Sequence, residues 1–165
     1  MLDRISLIGL FLISSCSSAA KIPDGAEVLP GSFVEAMLAQ CSRASPERGE
    51  GTWVPEAFEI SALEARISRE LPNELQKSGW VSAKDVENFP VFPDEFQRQY
   101  VGIIRHGRKY IYGNFSPKDS FVDIPAEVMR RERVITICDG GPVFFGVEFD
   151  PQARRFTQWG FNGVA

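Results

Sequence analysis

A chain of 165 residues with 18 Lys and Arg against 22 Asp and Glu carries a formal charge of −4, which disfavours a nucleic-acid partner. Apolar residues at 44% and charged residues at 24% are ordinary globular values and exclude wholesale disorder; 13 Phe are many for this length.

Residues 1–20 read as an export signal: Arg4 and the initiating amine precede a mainly apolar run, 5–13, that leads into Ile13-Ser14-Ser15-Cys16. That run is too short to cross a hydrocarbon core of about 30 Å as a helix, which argues against a membrane span. Ile13-Ser14-Ser15-Cys16 resembles the lipobox of bacterial lipoproteins, in which an aliphatic residue and two small ones precede a cysteine that is acylated and becomes the new N-terminus. The resemblance implies a signal peptide over 1–15, lipidation at Cys16 and attachment to a membrane through acyl chains. At about 0.8 kcal/mol per buried CH₂, more than one chain holds a domain there durably. Ser17, where that family uses aspartate for inner-membrane retention, implies the periplasmic face of the outer membrane. The alternative is cleavage after Ala20, with Ser18 and Ala20 as the small residues, which releases a soluble periplasmic protein. Asp3 is out of character for either route.

Downstream, 16–31 reads as a tether, small, polar and Pro-punctuated, and one domain is expected over 32–165. Ser32 and Glu35 form a capping-box pattern, and Phe33, Met37 and Cys41 with Val34 and Leu38 predict a helix ending near Arg43, with Cys41 inward. The stretch 44–52 has no periodicity and reads as a loop. Ile60, Leu63, Ile67 and Leu71 repeat with helical period, with Glu64, Arg66 and Glu70 elsewhere, so a second helix starts near Pro55 or Ser61. Pro72 either ends it or opens a further turn through Leu75 and Lys77 before Gly79. The segment 80–93, with Phe89 and Phe92, reads as an irregular covering loop.

From Tyr100 the pattern is that of strands. Those over 100–105 and 109–114 flank a hairpin turn, His106-Gly107-Arg108, and after a helical turn over 126–131 a Val-, Ile- and Thr-rich strand follows over 133–138. Asp139-Gly140-Gly141-Pro142 turns the chain into 143–150, and a second turn, 151–154, leads into 155–161. Strict alternation puts Val143, Phe145, Val147 and Phe149 on a buried face, with Phe144, Gly146, Glu148 and Asp150 facing the other way. Helices first and strands last predict an α+β fold, N-terminal helices on one face of a four- to five-stranded antiparallel sheet that ends in a C-terminal meander.

With Cys16 consumed by processing, Cys41 and Cys138 remain as a pair, and in an oxidising compartment they are expected to form a disulfide. The segments Tyr110-Ile111-Tyr112-Gly113-Asn114, Cys138-Asp139-Gly140-Gly141-Pro142 and Phe145-Gly146-Val147-Glu148 resemble those of small Gram-negative envelope lipoproteins of unknown function. That resemblance implies a compartment but no activity and no site residues.

Candidate sites are sparse. Asp139, Gly140 and Gly141 at a strand end could cradle an anion, although the same residues satisfy a tight turn. His106, the one histidine of the chain, could serve as an acid or base and neighbours Arg108 in a turn. Arg130-Arg131-Glu132-Arg133 with Arg105, Arg108 and Lys109 could form a basic patch for anionic headgroups or an acidic protein. Phe144 and Trp159 are expected to point away from the core and offer a contact surface. One His and two paired Cys do not furnish a zinc site, and no cofactor is implied. Three readings follow. The first is a non-catalytic, lipid-anchored envelope domain that binds a protein or cell-wall component through the sheet's second face and its turns, an inhibitor of an envelope hydrolase being one concrete form. The others are a small enzyme using Asp139, Glu148 or His106 as acid and base, and a carrier of small apolar ligands.

Overall fold

The computed structural model describes residues 21–82, 84–121 and 133–164. The signal over 1–15, the lipidation position Cys16, the helical turn at 126–131 and the run 130–132 lie outside the described residues. Strands β1 (Ala26–Val28), β2 (Gly51–Trp53), β3 (Phe96–Arg105), β4 (Arg108–Pro117), β5 (Phe145–Asp150) and β6 (Arg155–Phe161) form one sheet, accompanied by helices α1 (Val34–Leu38) and α2 (Ala57–Ser78). The class is α+β, but the sheet is mixed rather than antiparallel. Its order is β1-β3-β4-β5-β6. On the same edge of β3, β1 pairs in parallel through 98–100 and β2 pairs antiparallel through 102–104. Strand β1 lies inside the stretch read as tether, so ordered chain begins well before Ser32: the Ala26 N–H already donates to Pro23 O.

Two tight hairpins set the registers. His106 and Gly107 both take positive φ, 51° and 70°, which lets a two-residue turn match the twist of its strands. The turn is therefore one residue shorter than expected, and Arg108 joins β4 opposite Arg105. Between β5 and β6 the chain turns through 151–154 with Arg154 at φ 53°, and a bulge follows where Glu148 and Phe149 meet β6.

Helix α2 covers one face of the sheet. Ile60, Leu63, Ile67, Leu71 and Leu75 make its stripe and pack on Phe96, Tyr100, Ile111, Phe115, Phe145, Val147 and Phe149. The helix passes through Pro72 and ends at Gly79, φ 75°. A proline there costs about 3 kcal/mol or more, and burial of Leu71 and Leu75 on either side of it offsets that cost. The capping box belongs to this helix, through Glu56 and Glu59, and not to Ser32 and Glu35. Glu64 is also not on an open face. It is buried, accepting from the Tyr100 hydroxyl at 2.7 Å and from Arg98 at 3.4 Å, because a carboxylate tolerates burial only with such partners. Burial pushes the Glu64 carboxyl above its ordinary value, against the opposing pull of Tyr100 and Arg98.

The second face is covered too, which corrects its expected role as a docking surface. Leu29, Val34 and Met37 pack on Val101, Ile103 and Tyr112. The segment expected as a strand over 133–138 forms no ladder; its backbone is held instead by side-chain amides in the sheet and just beyond its last strand. Gln99 donates to Arg133 O and accepts from the Ile135 N–H, Asn114 donates to Ile135 O, and Asn162 donates to Ile137 O and Asp139 O. Helix α1 stops at Leu38 rather than near Arg43, and Cys41 is exposed rather than inward. Its sulfur lies 2.13 Å from that of Cys138, at disulfide distance. Beyond it Arg43 crosses the sheet to the side-chain oxygens of Asn114 and Asn162. Gly146 makes room for this crossing: a Cβ there would stand 2.5 Å from the Tyr112 hydroxyl and 3.1 Å from Arg43 Nε.

Candidate functional site

The two ends of the sheet differ in chemistry. The chain enters beside the start of β3 and the end of β4, where Glu87, Asp94, Glu95 and Asp119 gather around Lys118. At the far end, the β3–β4 and β5–β6 turns approach the first turn of α2 and enclose an open cleft of about 650 Å³. Phe58 and Ala62 line the helix side, Arg108, Lys109 and Arg154 line the turn side, and Phe149 lies between them.

Each turn is clamped by a carboxylate. Glu50 accepts from the Gly107 N–H at 2.9 Å and the His106 N–H at 3.1 Å, and those two donors hold its carboxyl below the ordinary value. Asp150 accepts from the Arg108 guanidinium at 2.8 Å and from the Ala153 N–H at 2.8 Å. Lys109 Nζ stands 4.4 Å over the Trp53 ring. Glu148, on the same second face as Asp150, takes both Arg105 terminal nitrogens at 2.9 and 2.7 Å and the Thr157 hydroxyl at 2.6 Å. Its oxygens are thus occupied by permanent partners, the arrangement of a structural carboxylate.

The residues singled out from sequence do not converge. His106 and Arg108 lie at the far end, while Asp139, Gly140 and Gly141 lie at the entry end, where the Gly141 N–H donates to Gly163 O. The length of β5 puts those ends roughly 17 Å apart. That distance keeps Asp139 apart from His106, and Glu148, which lies nearer the far end, is held by Arg105 and Thr157. Gly140 and Gly141 adopt φ 88° and 72°, and the Phe144 ring packs where a Gly140 Cβ would stand, the geometry of a tight turn. Neither Phe144 nor Trp159 offers the expected contact surface. Phe144 is 9% exposed, and Trp159 pairs with Val147, stacks on Phe145 and Phe161 and meets Phe156 edge-on beside the α2 core. The interior that a carrier would need is occupied by these rings, with Phe115 and Phe145 centroids 4.7 Å apart.

Sequence reading missed the cleft. Phe58 falls out of phase with the stripe of α2, and Arg154 stands in a turn recognised only as a turn. An aromatic off the apolar stripe was the available signal. Among the described residues, no group of three or more His, Cys, Asp and Glu side chains is placed to hold a metal ion, and no helix is long and apolar enough to cross a membrane. Comparison with protein-family models, curated proteins and solved structures finds no match to this chain.

Proposed function

We propose that this protein is an exported, non-catalytic binding domain, anchored through Cys16 to the periplasmic face of the outer membrane and engaging an envelope partner with its far-end turns. The observation that carries the reading is the opposition of ends: chain entry and an acidic rim at one, clamped turns and a mixed basic and apolar cleft at the other. The residue steps from Cys16 to Pro23 span at most about 25 Å, so an acylated Cys16 keeps the entry end near the lipid. The cleft would point away, toward soluble proteins and the cell wall. Binding in this form needs no nucleophile or base, consistent with the occupied oxygens of Glu148 and the exposed turn position of His106. An inhibitor that covers an envelope hydrolase is one concrete form.

Growth of the producing cells with an alkyne analogue of palmitate tests the anchor. The reading expects label on the chain, in the outer-membrane fraction, and none on a Cys16→Ser variant. Label absent from the native chain, or retained by Cys16→Ser, overturns it.

A further inference from the structure

The cleft has two unlike walls. Phe58 and Ala62 on α2 are apolar, whereas Arg108, Lys109 and Arg154 on the turns outnumber the single lining acid, Glu59. With Arg108 paired to Asp150, Lys109 and Arg154 still outnumber Glu59, and on a chain of formal charge −4 this local positive excess favours a ligand carrying negative charge.

The two turns and Arg108 are held in place before any ligand arrives. One carboxylate, that of Asp150, only 2% exposed, ties the Arg108 guanidinium to the backbone of the β5–β6 turn, and Glu50 braces the neighbouring turn. Arg108 stays about half exposed in spite of its partner. Among the described residues Arg154 forms no ion pair. Arg108, held this way, loses less conformational entropy on binding than a free surface side chain does.

The geometry points to a docking site for a short acidic peptide segment of a partner protein, its apolar side chain against Phe58 and Ala62 and its carboxylates on Arg154 and Arg108. This names the ligand class of the binding reading above and rests on it. The cleft volume lies within the usual range for ligand sites. Phe58 is 60% exposed, and an exposed aromatic beside Arg is the pairing that anchors protein interfaces. A lipid surface offers the same charge at the wrong end of an anchored molecule, so a peptide is the better match.

Fluorescence anisotropy tests the assignment, with the full chain in non-ionic detergent and a fluorescein-labelled peptide Gly-Ser-Leu-Asp-Phe-Glu-Ser-Gly. Saturable binding is expected. It should weaken at least about tenfold when the acids are replaced by Lys or the apolar residues by Ser, and weaken as salt rises from about 0.05 to about 0.5 M. Arg154→Glu and Phe58→Ser should each weaken it about tenfold with melting temperature unchanged, whereas His106→Ala should not. The assignment is overturned by absent saturation, by equal binding of the Lys peptide, by native-like binding of Arg154→Glu, or by tighter binding to phosphatidylglycerol vesicles than to the peptide. Acylation at Cys16 is scored separately by the palmitate label. A labelled chain that ignores the peptide thus refutes the ligand class, and an unlabelled chain that binds it refutes the anchor.

Discussion

Replacing Cys41 and Cys138 together by Ser opens a loop of 97 residues and leaves the rest of the fold its own contacts. Closing a loop of that size removes roughly 16 cal/mol/K from the unfolded chain in the chain-entropy account, about 4.7 kcal/mol at 25 °C. The folded state is affected far less, because Gln99, Asn114 and Asn162 still hold the backbone of 133–139. With a melting entropy of about 2.1 cal/mol/K per residue over roughly 150 residues, the loss lowers Tm by about 15 °C. Urea titration followed by tryptophan fluorescence reads both sides of the argument. The midpoint should fall, and the slope m should rise, because the unlinked chain exposes more surface when it unfolds. A loss below about 1 kcal/mol with m unchanged would refute the assignment of the effect to the unfolded state.

Gly146→Ala places a methyl group 2.5 Å from the buried Tyr112 hydroxyl and should cost about 1–3 kcal/mol in thermal melts; a neutral result would mean that Arg43 and Tyr112 move freely. Asn162→Ala leaves the carbonyls of Ile137 and Asp139 without that donor and removes one of the two acceptors of Arg43, for a loss of about 1–3 kcal/mol, with faster amide exchange over 137–140. Unchanged exchange there would show that the side-chain amides do not hold the segment. The raised Glu64 carboxyl makes folding take up a proton, so its stability contribution is full below the ordinary carboxyl value and is lost as pH rises through the raised one. Urea midpoints measured between about pH 4 and pH 7 should therefore fall for the native chain relative to Glu64→Gln, and a difference that is flat or rises would contradict the burial argument.

Where a segment's periodicity and its burial share one cause, the chain could be read directly. Phe145, Val147 and Phe149 alternate because β5 packs on α2, and Ile60, Leu63, Ile67 and Leu71 recur because α2 packs back. Three-residue strands such as β1 and β2 carry no period, so the mixed edge of β3 was invisible. The segment 133–138 has a strand's composition, but its backbone partners are Gln99, Asn114 and Asn162, which no local pattern indicates. For Glu148 and Asp150 alternation reports only which face of the sheet they occupy, not whether that face is covered. Arg105 and Arg108, more than forty positions away in the chain, are what allow those carboxylates to be buried. The cleft was illegible for a similar reason, since it joins a helix start to two turns that meet only in three dimensions.

The most direct test of the account is the intact mass of the protein purified from its native host, before and after thiol alkylation. The account predicts a chain that begins at Cys16, heavier by its acyl groups, in which Cys41 and Cys138 resist alkylation until reduced. A chain that still begins at Met1 and takes up alkylating reagent at both cysteines without reduction would contradict it.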